Sequence, residues 1–479
     1  METAAGGRSA HLAYTLDAGY RLEHLLSGLT FPTSVAFDAQ RRVYVVDGGF
    51  AYGPTYTPAR ILRLPAERLL EPHQAPLAAE MAEVVCGDGL SGPVTGIAFH
   101  EHRLYVAHRG RISVVEPDGS LRHLVSGLPS LGDYQNNKLA FGPDGRLYFG
   151  QGTATNSGVV GWDSHRYGWL RRYPEFCDIP GGDVTLVGQN FTTPHPLMPD
   201  GPLATTGAFA PFGTATRPGQ VVRGALPCTG AVMRCQPDGT DLELVAWGLR
   251  NPFGVAFTLD GRLFVTEDGP EVRGSRPIGN GAPDNLYEVR LGDYFGWPDF
   301  YGGLPVSDLA LDPTVDRVSS GQSEPGLLLA RPEPLLRDAP PIARPPLARF
   351  APHATPGGFD LAHGTAFGFD GDAFVSLFGD ISPFASGGAV MRAGHGVARV
   401  DLITGTIYPF LTATPASSTA SSDSPPALEP FRPVDARFDP TGAALYIVDF
   451  GAVELNMHES RVHPGSGSLW RITRGAAEG

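Results

Sequence analysis

Three short segments carry the side chains whose types and spacing could do chemistry. The polar run "DYQNN", residues 133–137, stands almost directly before the apolar "LAF" of a predicted strand. The segment "RNP" begins at Arg250, and "EDGP" begins at Glu267. Carboxylates, amides and arginines are the groups with which proteins fix small polar ligands. These segments can form one site only if the fold brings the ends of several strands together.

The elements that would position these segments recur six times along the chain. Each copy has a short strand, a Gly/Asp turn and a second strand, which predicts a β-hairpin. A third strand follows most copies, as in "ARILRLP", and a fourth often follows, as in "LRHLVSGL". Six four-stranded antiparallel units predict an all-β fold, a six-bladed β-propeller. The copies are "TSVAFDAQRRVYVVDGG" from Thr33, "VTGIAFHEHRLYVAHRG" from Val94, "NNKLAFGPDGRLYFGQG" from Asn136, "FGVAFTLDGRLFVTEDG" from Phe253, "GTAFGFDGDAFVSLFGD" from Gly364 and "VDARFDPTGAALYIVDFG" from Val434.

The ends of the chain predict how the ring closes. The last copy ends at "GSLWRITRGAAEG" without a fourth strand, whereas "YRLEHLLSGL", residues 20–29, reads as a fourth strand without its unit. The N-terminal strand therefore completes the last blade, which removes the exposed edges of an open array. Residues 20–474 form a single propeller domain in this interpretation, with tails at 1–19 and 475–479.

The long insertions predict an elaborated face. If each innermost strand runs down from the top, the loops that lead into it and the second-to-third connections both lie on top. Insertions 154–229, 271–283, 380–394 and 452–466 fall in those connections. The proline-rich insertion 299–345 lies on the opposite face or packs along the side. Loops on a rigid scaffold commonly carry function, so the top mouth is the predicted site.

Composition excludes several classes of partner. The formal net charge of -14 argues against nucleic acid or an anionic membrane surface as a partner. There is no transmembrane run of apolar residues, and the N-terminus lacks the pattern of a signal peptide. Lys138 is the only lysine, so Schiff-base chemistry has one candidate. The four cysteines show no CxxC spacing, which favours buried free thiols, although a pair of Cys177 with Cys228 stays open.

Polar residues from several blades are expected to converge at the mouth. For each one alone, satisfaction of loop backbones is the favoured interpretation; for the ensemble, a ligand site is favoured. The loops before inner strands bring Ser91, Asp133 to Asn137, Arg250, Asn251 and Arg432, and the loops after second strands bring Asp47, His108, Gln151, Thr153, Asn156, Glu267 to Pro270, Asp380 and Asp449.

Several of these segments resemble a known family. "DYQNNKLAFGPDGRLYFGQG", "GLRNPFGVAFTLDGRLFVTEDGP" and "NLYEVRLGDYFGWP" are similar to the soluble sugar dehydrogenases that use pyrroloquinoline quinone (PQQ), the glucose/sorbosone dehydrogenase family. The resemblance covers residues 20–474 in blade order. It implies that Arg250, Asn251 and Arg432 contact PQQ, and that main-chain oxygens of Gly269 and Pro270 hold calcium. These groups suit the roles, because calcium prefers oxygen ligands and arginine matches carboxylates.

The resemblance also implies catalytic roles for Asp133 and Tyr134. The family has a histidine base after the aspartate of this loop, and Tyr134 stands there in this sequence. A phenol is a poor base at neutral pH unless its pKa is lowered, so His108 and His353 are alternatives. The family's quinone-contacting lysine has no counterpart near Phe378, and a second arginine of the carboxylate clamp is replaced by Val434.

Three functions follow from these residues. The first is a calcium- and PQQ-dependent dehydrogenase that oxidises a sugar or alcohol and passes electrons to an external acceptor. The second is a calcium-dependent lactone hydrolase that uses Asp133, Asn136, Glu267 and Asp449. The third is a non-catalytic carbohydrate- or protein-binding propeller. The resemblance implies a periplasmic or secreted protein.

Overall fold

The chain folds as an all-β six-bladed β-propeller, which confirms the predicted architecture. The structure is a computed structural model that describes residues 5–9, 12–48, 51–52, 55–65, 75–271, 273–276, 278, 281–308, 311, 333–381, 393–413, 431–455 and 460–475. No helix within these ranges is long and apolar enough to cross a membrane. All four cysteines are free, as the sequence favoured.

Each blade is an antiparallel sheet whose first strand lines the central channel. From the channel outwards, blade 1 contains Val35–Phe37, Val43–Asp47, Arg60–Arg63 and Glu83–Cys86; blade 2 contains Val94–His100, Arg103–His108, Arg111–Val115 and Leu121–Ser126; and blade 3 contains Asn136–Phe141, Leu147–Gln151, Ala231–Cys235 and Glu243–Trp247. Blade 4 contains Pro252–Phe257, Leu263–Glu267, Asn285–Val289 and Ala348–Arg349; blade 5 contains Pro356–Leu361, Ala373–Leu377, Gly396–Val400 and Ile407–Ala413; and blade 6 contains Pro433–Phe438, Ala444–Asp449, Gly467–Arg474 and Tyr20–Leu29.

The N-terminal strand closes the ring. Tyr20–Leu29 pairs antiparallel with Gly467–Arg474 and forms the outer part of blade 6, as the sequence predicts. Two further strands precede it: Leu12–Leu16 pairs with Ile407–Ala413 of blade 5, and Ala5–Ser9 pairs with Leu12–Leu16. The segment before residue 20 therefore extends the outer edge of blade 5.

The fifth copy begins earlier than predicted. The inner strand of blade 5 is Pro356–Leu361, whereas the apolar "TAFGF" after Gly364 forms part of the turn. The Gly364 backbone N–H donates to the Asp370 carboxylate at 2.8 Å, which closes this turn. Phe367 is fully buried in an aromatic cluster with Phe374. The turn thus contains core residues, and that apolar content imitates a strand in the sequence.

The remaining elements are short and lie mostly in the insertions. Asp299, near the start of insertion 299–345, accepts hydrogen bonds from the backbones of Leu335 and Leu336, and Leu336 forms a β-bridge with Leu186. The described part of this insertion therefore packs against insertion 154–229. The short elements are Ala51–Tyr52, Thr55–Tyr56, Leu77–Ala78, the 3-10 turn Ala79–Met81, helices Asp163–Arg166 and Trp169–Arg172, Val184–Thr185, Asn190–Thr193, Ala204–Gly207, Val221–Val222, Asp293–Tyr294, Phe300–Tyr301, Leu304–Pro305, Val453–Leu455 and Ser460–Val462.

A buried ion pair crosses the central channel. The Lys138 Nζ of blade 3 lies 3.0 Å from the Asp435 Oδ2 of blade 6, and both side chains are 0% exposed. Nζ also donates to the Thr33 carbonyl, and Ser34 Oγ donates to Asp435 Oδ2 at 2.8 Å. In blade 5, a Cβ on Gly358 would lie 1.9 Å from Asp435 Oδ1, so only glycine leaves room. The inner strands of blades 1, 3, 5 and 6 therefore meet at this pair.

Both members of the pair are charged at neutral pH. Burial lowers the pKa of Lys138 to about 8, although Asp435 opposes the shift. Burial alone would raise the pKa of Asp435, but Lys138 and Arg437 together hold it below its usual range. The amine of Lys138, the single lysine, is thus bound within the channel and is not exposed to a ligand.

A second feature, a hydrogen bond between a side chain and the backbone, repeats at the top of four blades. The last residue of the second strand accepts a hydrogen bond from the backbone N–H of the loop that leads into the same blade, and each of these acceptors is buried. The donor–acceptor pairs are Thr30 N to Asp47 Oδ1 (2.6 Å), Ser91 N to His108 Nδ1 (3.1 Å), Arg250 N to Glu267 Oε1 (2.6 Å) and Arg432 N to Asp449 Oδ1 (2.8 Å). We call these four acceptors the blade caps.

Burial shifts the pKa of each blade cap in the direction that favours its neutral form. It raises the pKa of Glu267 to about 7 and that of Asp449 to about 7, and it raises the pKa of Asp47. Burial also lowers the pKa of His108 to about 4. The caps thus serve as hydrogen-bond acceptors for backbone, and Asp47 also pairs with Arg60 at 2.8 Å.

We predict that breaking only one side of the channel pair is costly. Lys138→Met leaves the buried Asp435 carboxylate with Arg437, 3.2 Å away, as its remaining cationic partner. Asp435→Asn leaves the buried ammonium of Lys138 without a counterion. The loss in the free energy of unfolding should be about 3 to 5 kcal/mol for Asp435→Asn and smaller for Lys138→Met. The double variant should lose less than the sum, measured by urea unfolding. The exposed pair Arg223–Asp183 is the control, and Arg223→Gln should cost less than about 1 kcal/mol. Additive losses at Lys138 and Asp435 would contradict the coupling.

We also predict a pH dependence at the blade 6 cap. The pKa of Asp449 is higher in the folded protein than in the unfolded chain, so the folded state binds its proton more tightly and this contribution is lost as pH rises through about 7. Between pH 5 and pH 8, the free energy of unfolding of Asp449→Asn should therefore gain about 2 kcal/mol relative to the unsubstituted protein. Unfolding curves at both pH values check this, and parallel pH profiles would refute it.

Candidate functional site

Arg250 joins the "RNP" and "EDGP" segments at the top of blades 3 and 4. Its side chain is fully buried. The guanidinium donates to the Asn156 carbonyl at 3.0 Å, the Asp268 carbonyl at 3.1 Å, the Asn156 Oδ1 at 2.6 Å and the Tyr134 hydroxyl at 2.5 Å. Four of its five N–H groups are thus satisfied within the protein. Arg250 holds the loops together and leaves no free fork for a carboxylate ligand.

Tyr134 lies against this arginine as a neutral phenol. The Arg250 guanidinium carbon is 4.7 Å from the centroid of the ring. Burial raises the pKa of Tyr134 above its usual value, although Arg250 opposes the shift. A Cβ on Gly152 would come within 2.3 Å of Tyr134 Cβ and 2.6 Å of Asn251 Oδ1, so glycine is needed beneath them. In this arrangement Tyr134 is protonated at neutral pH.

Asp133 pairs with an arginine that the sequence analysis did not single out. The Arg273 NH1 lies 2.5 Å from Asp133 Oδ2 and 2.9 Å from Asp163 Oδ2, and its Nε lies 2.6 Å from Glu271 Oε2. Burial raises the pKa of Asp133, and Arg273 opposes that shift. Arg273 belongs to insertion 271–283, where the alternating charges of "EVRGSR" were the available signal. Its partners Asp133 and Asp163 lie far away in the sequence and could not be read from it.

The insertions of blades 3 and 4 are fastened to one another over the mouth. Asn156 Nδ2 donates to the carbonyls of Glu271 at 2.7 Å and Arg273 at 3.0 Å, and its Oδ1 accepts from the Glu271 backbone at 3.1 Å. The buried Arg276 donates to the Ser157 carbonyl at 3.0 Å and to Asp299 Oδ1 at 3.0 Å. Residues 154–163, 271, 273–276 and 299 therefore form one polar assembly.

Gly269 and Pro270 fit the role of calcium ligands. The Gly269 N–H donates to Asp284 Oδ1 at 2.6 Å, while neither main-chain carbonyl accepts a hydrogen bond from any described residue. Burial and Asp284 raise the pKa of Asp268 well above its usual value, and burial raises that of Asp284 to about 6. Two ionised carboxylates would repel each other here, so a cation beside them would stabilise their ionised forms. Within the described ranges no three His, Cys, Asp or Glu side chains are arranged around an ion, so carbonyls would supply the protein ligands.

Arg432 fits an anionic group better than Arg250 does. Its NH1 donates to the carbonyls of Phe378 (3.3 Å), Gly379 (3.4 Å) and Asp380 (2.9 Å), and its guanidinium lies over the Phe378 ring. In the part of the chain that the structure describes, its Nε and second terminal nitrogen have no acceptor. Arg432 is therefore the mouth arginine with free donors.

The other residues that the sequence suggested for the mouth serve the scaffold. Glu267, Asp449 and His108 are blade caps, and His108 Nε2 is 2.8 Å from Ser113 Oγ. Asn136 makes four hydrogen bonds within blades 2 and 3. The set of four proposed for lactone hydrolysis is therefore divided among separate structural roles.

His353 differs from His108. It has φ of 62°, in the left-handed region, and the neighbouring Thr355 has φ of 51°. The Thr355 N–H donates to Asp284 Oδ2 at 2.7 Å, so Asp284 joins this loop to Gly269. His353 is largely buried, and its Nε2 has no hydrogen-bond partner among the described residues.

Comparison with known proteins finds one local sequence match and a shared fold. No family model matches the chain. Quinoprotein glucose dehydrogenase B of Acinetobacter calcoaceticus is 26% identical over 181 residues, 37% of this chain and 29% of that protein. The match thus spans less than a third of that relative's length.

Solved structures share the fold across the whole chain. The holo PQQ domain of pyranose dehydrogenase from Coprinopsis cinerea has a TM-score of 0.55 at 14% identity, with 98% of each chain covered. The calcium structure of a family AA12 carbohydrate-active enzyme from Trichoderma reesei has a TM-score of 0.54 at 15% identity, again with 98% of each chain covered. The chain thus has a local sequence similarity to the Acinetobacter enzyme, and the solved structures, at these identities, establish a shared fold.

Proposed function

We propose that the protein is a calcium- and PQQ-dependent oxidoreductase that oxidises a sugar or a related alcohol. The observation that carries the proposal is the pair of free main-chain carbonyls at Gly269 and Pro270. They adjoin Asp268, whose carbonyl binds Arg250 and whose carboxylate accepts from Asn251 Nδ2 at 2.7 Å. The loop for the metal and the Arg–Asn loop therefore behave as one rigid unit.

Different residues of the protein would bind the calcium ion and the quinone. Gly269 and Pro270 would hold calcium through their carbonyls, and Arg432 would bind an anionic group of the quinone through its free nitrogens. Asn251 adjoins the metal loop, and Arg250 fixes both loops from behind. When bound, the quinone supplies the hydride acceptor and the calcium ion acts as a Lewis acid.

The residues also indicate which group takes the proton of the substrate hydroxyl. Asp133 is occupied by Arg273, Tyr134 is a neutral phenol bound to Arg250, and both ring nitrogens of His108 are engaged. Of the three bases that the sequence suggested, His353 keeps a ring nitrogen without a partner among the described residues. We therefore propose that His353 Nε2 accepts the proton of the substrate hydroxyl.

We predict that the purified cofactor-free protein takes up PQQ only with calcium and that added aldoses then reduce the bound quinone. Arg432→Ala should weaken PQQ binding by about tenfold or more, because it removes the free donors for an anion. Arg399→Ala is the matched control, since Arg399 pairs with Asp372 in blade 5 and does not belong to the mouth set. Absence of PQQ uptake with calcium present would overturn the proposed function.

We predict opposite results for the two candidate bases. His353→Gln should lower kcat by about 100-fold or more, the usual effect of losing a general base, with calcium-dependent PQQ uptake retained. Tyr134→Phe should leave kcat nearly unchanged, because a neutral phenol does not accept the proton. Single-turnover reduction of the bound quinone measures both. A large loss in Tyr134→Phe alone would return the role of base to Tyr134.

A further inference from the structure

The histidine that directly follows insertion 380–394 lies between the two segments that hold Arg432. The His395 Nε2 is 3.2 Å from Asp380 Oδ1, and its Nδ1 is 3.3 Å from the Phe431 carbonyl oxygen. Asp380 belongs to the loop that leaves the second strand of blade 5, and Phe431 belongs to the loop that enters blade 6. His395 therefore joins the top loops of two neighbouring blades.

Each of these two contacts acts on one end of Arg432. Phe431 directly precedes Arg432, so the contact between its carbonyl and His395 fixes the backbone from which the arginine side chain starts. The Asp380 carbonyl accepts from Arg432 NH1 at 2.9 Å, the shortest of the three carbonyl contacts of this guanidinium. The carboxylate of the same aspartate faces His395. The imidazole thus holds both the backbone and the guanidinium of Arg432 through one intermediate residue each.

The backbone around His395 is built to admit the imidazole at this position. His395 has φ of 58°, in the left-handed region, which is unfavourable for a residue with a side chain. A Cβ on Gly379 would lie within 2.7 Å of three atoms of the ring, so only glycine leaves room for the imidazole. A strained residue persists where its surroundings hold it. Here the two contacts of the ring supply that hold.

Both oxygens that face the ring are acceptors. A carbonyl oxygen and an ionised carboxylate can only accept, so each ring nitrogen must carry a hydrogen to form its hydrogen bond. Only the imidazolium ion has two N–H groups, whereas a neutral imidazole has one. The imidazolium and Asp380 then form an ion pair at 3.2 Å. Loss of one proton from His395 therefore removes one of the two hydrogen bonds that fix Arg432.

The charged groups that face this cluster come from blades 5 and 6. Burial lowers the pKa of Arg432, and the carboxylates of Asp380 and Asp449 oppose that shift. Asp449 accepts from the Arg432 backbone N–H at 2.8 Å, and burial raises the pKa of Asp449 to about 7. Protonation of Asp449 would also favour an anion at Arg432, because it removes a negative charge. His395 and Asp449 thus act in the same direction as the pH falls, and an experiment has to separate them.

We infer that His395 is a positioning residue for Arg432 and that the mouth binds an anionic group most tightly while both ring nitrogens of His395 carry a hydrogen. As the pH rises, the neutral ring releases either the Asp380 carboxylate or the Phe431 carbonyl. One end of Arg432 is then freed, and its free nitrogens are no longer held in one direction. This inference rests on the proposed function only for the identity of the anion, the carboxylates of PQQ.

The test follows the binding of two carboxylate ligands from about pH 5.5 to about pH 8, the range in which histidine titrates. Oxalate without calcium probes the anion site alone, and PQQ with calcium probes the complete site. Calorimetric titration of the unsubstituted protein should show that the affinity for both falls by about threefold to tenfold across this range, the effect of one hydrogen bond. His395→Gln should bind weakly throughout, with a flat profile. His123→Gln is the matched control, since His123 is exposed on the outer strand of blade 2, and it should keep the full pH dependence.

Two further measurements separate the titrating groups. In Asp449→Asn the amide oxygen can still accept the Arg432 backbone N–H, so this variant should still bind oxalate more tightly at the acidic end of the range. By linkage, oxalate should make the His395 ring of the unsubstituted protein hold its proton to a higher pH. Nitrogen-15 NMR of the histidine side chains measures this effect, and it applies even if His395→Gln does not fold.

The inference is overturned by a flat affinity profile in the unsubstituted protein, by an unchanged profile in His395→Gln, by a profile that Asp449→Asn abolishes, or by a His395 ring that titrates identically with and without oxalate. The two ligands also separate this inference from the proposed function. PQQ uptake at an affinity that does not depend on pH refutes the role of His395 alone. Oxalate binding that depends on His395, without any uptake of PQQ, refutes the cofactor assignment alone.

Discussion

The buried pair of Lys138 and Asp435 fixes the centre of the propeller, and the top loops depend on it. Because the pair crosses the channel, it sets the register of the inner strand of blade 3. The two residues before Lys138 are then placed by the same register: Asn136 binds backbone of blade 2, and Asn137 binds blade 4. Three consecutive polar residues thus tie one strand to its neighbours on either side and to the far side of the ring. This explains why a polar run directly precedes a buried strand.

Arginines perform a corresponding role in the loops above. Arg250, Arg273 and Arg276 are buried, and each one bridges segments that are distant in the sequence. Desolvation of so many charges is unfavourable unless each charge finds a partner, so the insertions have to adopt one arrangement. The cost of this rigidity is that Arg250 loses its capacity to bind a ligand. Arg432 donates to main-chain carbonyls through only one terminal nitrogen. We therefore propose Arg432 as the residue that recognises an anionic group.

The sequence predicted the fold well because hairpins are local. A strand, a turn and a second strand lie within about twenty residues. The N-terminal strand could be assigned because the last repeat lacks a fourth strand. The fifth copy was misplaced because Phe367 belongs to the core although it lies in a turn. The site was harder to predict. Nothing local distinguishes Glu267, which caps a backbone, from Asp268, which lies beside the candidate metal residues. Arg273 was missed because its partners Asp133 and Asp163 are more than one hundred residues away.

The separation of structural from functional polar groups follows from hydrogen-bond satisfaction. The blade caps are buried and strongly shifted in pKa, which taken alone would suggest catalysis. Yet each cap accepts a backbone N–H at an equivalent position of its blade, so the shift reports burial of a scaffold residue. Asn137 shows no comparable repetition, and one of its atoms lacks a donor among the described residues. Repetition around the ring therefore indicates a structural role, and a shifted pKa becomes evidence of function only where such repetition is missing.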